Sequence, residues 1–126
     1  MKKYYKVVDG GWGPYCSARS RNYVFYKVGE WTDAPGNTRL FVFDNLEDAR
    51  KFRSFGEVIF ECEIVGGVKF FGANCRSNNN EFWEIFNNIL LKKKKVTKEK
   101  FKKANIRLAE VDAVLAKKVK LLKCVI

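Results

Sequence analysis

The sequence predicts an α+β fold: a small twisted mixed β-sheet with one short inserted helix and two C-terminal helices, the last long and basic. Three observations carry that expectation. Leu40 to Val65 reads as strand, helix, strand, with ordinary boundary chemistry at each junction. Apolar residues recur at steps of three and four through the last third of the chain. Charge divides unevenly: residues 1–91 hold 12 Lys/Arg against 11 Asp/Glu, while residues 92–126 hold 13 against 3. A chain of 126 residues suffices for one domain with a real core. The charge boundary therefore suggests an α+β domain over 1–91. Residues 92–126 would then form a basic amphipathic helix packed on that domain or on a partner.

Taken in order, YYKVV at 4–8 suits a first strand. DGGWGPY at 9–15 is a Gly/Pro turn cluster that carries Trp12 and Tyr15. YVFYKV at 23–28 is a second strand candidate, and GEWTDAPGN at 29–37 a loop with a Pro-Gly turn. LFVF then leads to Asp44 with Glu47 three positions on, the pattern of a capping box. Leu46, Ala49 and Phe52 share one helical face, and Gly56 can end the turn. In the following strand Phe60, Cys62 and Ile64 point one way, and Ile59, Glu61, Glu63 and Val65 the other. GGVKFFG offers one more short strand. NCRSNNN at 74–80 is a polar linker, and Asn80 caps a helix with Phe82, Ile85, Phe86, Ile89 and Leu90 on one stripe. Thr97 caps the last helix, in which Phe101, Ala104, Leu108, Val111, Leu115, Val119 and Leu122 form a near-heptad series.

Several function classes are disfavoured by composition. There is no histidine, and Cys16, Cys62, Cys75 and Cys124 are widely spaced with no C-x-x-C pair. No metal site is therefore expected, and no cofactor. No apolar run approaches the roughly 18 residues that cross a bilayer. MKKYYKVVDGG lacks the apolar centre of a secretory signal, and in KCVI the cysteine stands third from the end, not fourth. The expectation is reduced thiols in a cytoplasm and no membrane partner.

Two groups of residues carry the candidate chemistry. Lys92, Lys93, Lys94, Lys95, Lys98, Lys100, Lys102, Lys103 and Arg107 form a basic cluster suited to polyanions, because neutralising phosphates releases counterions. The alternative is a solvated helix face. The apolar stripe beneath has two readings, folding back on the domain or pairing with another chain, as a homo-oligomer or with a protein partner. The second group is Trp12, Tyr15, Arg19, Arg21, Tyr26, Trp31 and Arg39. Rings stack on bases and arginines grip phosphates bidentately, so these suit a nucleotide pocket. Tyr23 and Tyr26 lie on opposite faces of one strand, so at least one is expected in the core. Glu61 and Glu63 share a strand face, roughly 6.6 Å apart, and read as solvated. No catalytic residue is assigned.

The order YKVV, small-residue loop, YVFYKVG, LFVFDNLEDARKF and VIFECEIV resembles the compact core of ADP-ribosyltransferase-like domains over residues 4–65. That resemblance implies a split-sheet scaffold able to hold NAD-like or ADP-ribose-like ligands. It offers Glu63 and Glu81 as counterparts of the family's glutamate. The family's histidine has no counterpart, and its Ser-Thr-Ser element finds no place, so binding without catalysis is as consistent with the likeness as an enzyme. The Lys- and Asn-rich, Pro-poor composition is similar to that of small proteins encoded by AT-rich phages. Such a protein would act in the host cytoplasm in an accessory or defence-countering role. The functional expectation is non-enzymatic binding of an anionic nucleotide or nucleic acid. The alternatives are an ADP-ribosyltransferase-like enzyme acting on a nicotinamide nucleotide, and a protein–protein interaction module using the C-terminal helix.

Overall fold

The computed structural model describes residues 2–10, 15–17, 24–36, 38–70, 84, 87–88 and 112–126, and the elements with both ends among them are nine strands and one helix. The strands are β1 (Tyr4–Asp9), β2 (Tyr15–Ser17), β3 (Phe25–Tyr26), β4 (Trp31–Asp33), β5 (Leu40–Val42), β6 (Glu57–Val65), β7 (Val68–Phe70), β8 (Ala113–Ala116) and β9 (Lys118–Cys124). The helix α1 (Leu46–Phe52) lies between β5 and β6. Six strands form one sheet in the order β3-β2-β1-β6-β9-β4, and three form another in the order β5-β8-β7. Every pairing among the described strands is antiparallel, so the expected mixed sheet is corrected.

The two sheets are one curled surface. β6 continues into β7 through Gly66 and Gly67, and β8 into β9 through Lys117. The paired strands bend together at that corner, where Lys117 N donates to Val65 O and Ala34 N donates to Lys117 O, both at 2.9 Å. Glycine is required there. Gly66 has φ +68°, and a Cβ on Gly67 would lie 2.8 Å from Ile64 Cδ1 and 3.0 Å from Val114 Cγ1. Beyond β5 the chain reaches Phe43, which exchanges two 2.8 Å backbone hydrogen bonds with Tyr5 of β1. Pairings and the direct continuation of β8 into β9 thus close a ring, from β1 through β6, β9, β8 and β5 back to β1.

Strand alternation sorts the core into an inside and an outside. Val8, Leu40, Val42, Phe60, Cys62 and Val119 lie in the inner cluster. Val7, Phe43, Ile59 and Ala113 face outward, where Ala49 and Phe52 of α1 cover them. This is the apolar face expected for that helix. Its cap differs from the expectation: Asn45, not Asp44, accepts from Asp48 N at 2.8 Å, and its own amide donates to Asp48 Oδ2. Asp44 instead faces Lys2 and Lys69.

The expected pair of C-terminal helices is overturned. Residues 113–124, assigned to the long basic helix, hold two strands that lie inside the sheets, β8 between β5 and β7 and β9 between β6 and β4. The seven residues Lys118 to Cys124 include the alternation K-V-K-L, which a strand satisfies with Val119 and Leu121 inside and Lys118 and Lys120 outside. Over a window this short, steps of three and four and steps of two select overlapping residues. Pairing with β4, β5, β6 and β7 decides between them. Val119 is interior, while Leu122 is the unpaired residue of a β-bulge, so the supposed heptad stripe is divided. Thr97 to Val111 lies outside the described residues. Of the helix expected after Asn80, Glu84, Asn87 and Asn88 are helical and the rest lies outside the described residues.

Candidate nucleic-acid interface

The outer face of β6, β9 and β4 gathers charge in three cross-strand rows. Glu61 stands opposite Lys123 in the first, and Glu63, Lys120 and Trp31 share the second. Val65, Lys118 and Asp33 share the third. The bulge at Leu122 matters for the first row: one extra residue returns Lys123 to the outer face beside Glu61. Ion pairs follow the rows. Lys123 lies 3.6 Å from Glu61, Lys120 4.0 Å from Glu63 and Lys118 3.4 Å from Asp33. Lys120 Nζ also sits 5.6 Å from the centroid of the Trp31 ring, within cation–π range.

Glu61 is the best-held carboxylate on this face. Its side chain is 13% exposed, and Lys3 Nζ approaches it at 2.9 Å. The hydrogen bond from Lys3 holds the Glu61 carboxyl below the usual carboxylate range, with Lys123 adding to the pull, and the same pairing raises Lys3. These opposite shifts give the pair a stability window. Glu61 contributes stability above its ordinary value near 4.5 and loses it as pH falls through the depressed folded value. Lys3 contributes below 10.5 and loses it as pH rises through its raised value. Carboxyl-detected NMR should place the Glu61 midpoint below 4.5 and show it climbing in Lys3→Ala. An unmoved midpoint would refute the pairing.

A second carboxylate is shared in the same way. Asp44 lies 3.6 Å from Lys2 and 3.9 Å from Lys69. Lys69 neighbours Phe70, the last residue of β7, and Phe70 stands opposite Ala113, the first residue of β8. The chain therefore leaves and rejoins the sheet at one point. In sequence, the basic stretch Lys92 to Arg107 falls between those two residues.

Among the described residues, one lysine sits inside the ring. Lys6 is 6% exposed; its Nζ donates to Phe41 O at 2.7 Å and lies 5.5 Å from the Tyr26 ring centroid. Tyr26 is also buried, and its hydroxyl has no hydrogen-bond partner among the described residues. Cys62 shares this interior, and burial pushes its thiol up to about 12 against a small opposing pull from Lys6. A thiol so raised is a packing group rather than a nucleophile.

Of the residues expected to bind ligand, Tyr26, Trp31 and Arg39 have described side chains, and they stand in different surroundings. Tyr26 is core. Trp31 is 45% exposed on the edge strand β4. Arg39 is half-buried, donating through Nη1 to Thr38 O. Tyr15 contributes backbone to β2. Trp12, Arg19 and Arg21 lie outside the described residues, as do Lys92, Lys93, Lys94, Lys95, Lys98, Lys100, Lys102, Lys103 and Arg107. Of the two glutamates offered by the ADP-ribosyltransferase-like resemblance, Glu63 is 40% exposed beside Lys120 and Glu81 lies outside the described residues. Lys3, Lys118, Lys120 and Lys123 are members of this face that sequence reasoning misses. The one signal for them is the K-V-K alternation at 118–120, which the helical spacing overlies. No three His, Cys, Asp or Glu among the described residues are grouped to hold a metal ion, and no helix there is long and apolar enough to cross a membrane. Comparison with known families, curated proteins and solved structures finds no match.

Proposed function

We propose that this protein binds nucleic acid without turning it over. One observation carries the reading: nine Lys/Arg between Lys92 and Arg107 belong to a stretch whose two ends, Phe70 and Ala113, are paired on the sheet. Those two ends are fixed beside Lys69, and the nine cations are spread along the sequence between them. Such a distribution suits a polymer of phosphates better than a single nucleotide. The surface lysines of β9 extend the same charge over the body of the fold. Fluorescence anisotropy with a labelled oligonucleotide tests the proposal. Affinity should fall linearly in log–log form with salt. Changing Lys92, Lys93, Lys94 and Lys95 together to Gln should flatten that slope by up to about 3, at roughly 0.7 for each single-strand phosphate no longer neutralised. Binding indifferent to salt, or an unchanged slope in the variant, counts against the proposal.

A further inference from the structure

We infer that the outer face of β9 and β4 is a single-strand platform, with Trp31 stacking on a base and Lys118, Lys120 and Lys123 following the phosphates. This rests on the nucleic-acid reading above and assigns it a place on the sheet. Three features point to it independently of the basic stretch.

Trp31 is a large ring left 45% exposed on a three-residue edge strand. Its nearest neighbours in register are charged: Lys120 is directly opposite, and Lys118 and Asp33 lie in the next row, with exposed Val65 beyond Lys118. An exposed indole among cations matches what bases require, since every base offers a π-face and every linkage a negative charge.

Spacing is the second feature. Lys118 and Lys120 are two residues apart on one strand, so they project from the same face roughly 6.6 Å apart. Regular alternation would next place Leu122 on that face and turn Lys123 inward. The bulge leaves Leu122 unpaired and 42% exposed and sets Lys123 opposite Glu61, so Lys123 is the third cation on the face.

The third is how loosely the lysines are held. Their carboxylate partners stand at 3.4 Å, 4.0 Å and 3.6 Å, and each pair keeps at least one side chain 40% exposed or more. Surface pairs of this kind contribute little, so phosphate oxygens can take Lys118 from Asp33 and Lys120 from Glu63 at small cost, while Glu61 keeps Lys3 at 2.9 Å when Lys123 turns to a phosphate. Duplex DNA buries its bases in the stack and offers Trp31 nothing to stack on, so the platform selects single strands.

The test compares Trp31→Ala, Trp31→Phe and Lys120→Ala in the full chain, using a labelled single-stranded oligonucleotide and its duplex. Trp31→Ala should weaken single-strand binding roughly 5- to 150-fold, the range for removal of one stacked base. It should leave the salt slope and duplex affinity unchanged, and Trp31→Phe should restore most of the affinity. Lys120→Ala should reduce the single-strand salt slope by about 0.7. Equal affinity of wild type and Trp31→Ala for the single strand overturns the platform. If the Lys92–Lys95 variant still weakens binding in that case, the nucleic-acid reading survives without it. Failure of the wild-type chain to bind either oligonucleotide removes both. A change in oligomeric state in Trp31→Ala with unaltered affinity assigns the surface to a second copy of the chain and also overturns the inference.

Discussion

Phe43→Ala is expected to lower stability by about 3–5 kcal/mol, the usual cost of truncating a buried phenylalanine. Phe43 is 1% exposed and packs against Phe52 of α1 with ring centroids 5.1 Å apart and planes tilted by 44°. Val7, Ala49, Ile59 and Ala113 share its cluster. Truncation would leave a void where the helix meets three different strands, walled by side chains that are themselves held in place. The backbone of Phe43 also joins the second sheet to the first through Tyr5, so loosening here weakens the ring where β5 returns to β1. Urea denaturation measures the effect: the midpoint should fall sharply at nearly constant m-value. Against a typical total of about 5–15 kcal/mol, such a loss approaches unfolding for a domain this small. A change below about 1 kcal/mol would show that α1 docks without this ring.

Lys6→Glu is the second large effect, expected to cost about 3–5 kcal/mol at neutral pH. The native ammonium is buried but answered. It donates to Phe41 O and lies over the negative face of the Tyr26 ring. A carboxylate in its place would meet a carbonyl oxygen and the same negative ring face, with both interactions reversed in sign. Such a group would take up a proton instead of remaining charged. The variant should accordingly regain stability as pH falls, opposite to the trend set by Glu61. Lys6→Met is the control, since it keeps the aliphatic stem and removes the charge, and it should cost far less. If Lys6→Glu and Lys6→Met were equally stable at neutral pH, the interior position of this side chain would be refuted.

The parts of the fold legible in the sequence are those whose signal is local. The strand–helix–strand unit from Leu40 to Val65 is readable because capping chemistry, helical spacing and alternation each occupy a few consecutive residues. Even there the cap shifts by one, since Asp44 and Asn45 are both competent and only the backbone's turn chooses between them. β4 is hidden because three residues of an edge strand carry no period, and its Gly and Pro-Gly flanks read as a loop. β8 and β9 are obscured for a different reason. Their apolar residues satisfy two periods, and the partners that select one of them lie far away in the chain. The interface is legible only in part. Trp31 is visible as an isolated aromatic, but the three lysines beside it come from a segment whose spacing suggests a helix. The bulge that aligns Lys123 depends on a register that exists only after pairing.

The position of β8 and β9, each flanked on both sides by earlier strands, also governs when the fold can form. Trp31 waits for Lys120, Leu40 for Ala116 and Tyr5 for Phe43, and each closure spans a long stretch of chain. Loop-closure entropy must be met before such pairings return any stability. During synthesis, residues 113–124 emerge after every strand they will pair with, so β4, β5, β6 and β7 remain open-edged until then. Unpaired edges and exposed apolar faces in that interval are hazards for association. The nine Lys/Arg from Lys92 to Arg107 emerge before β8 and β9, so charge that opposes self-association is already on the chain while those edges stand open.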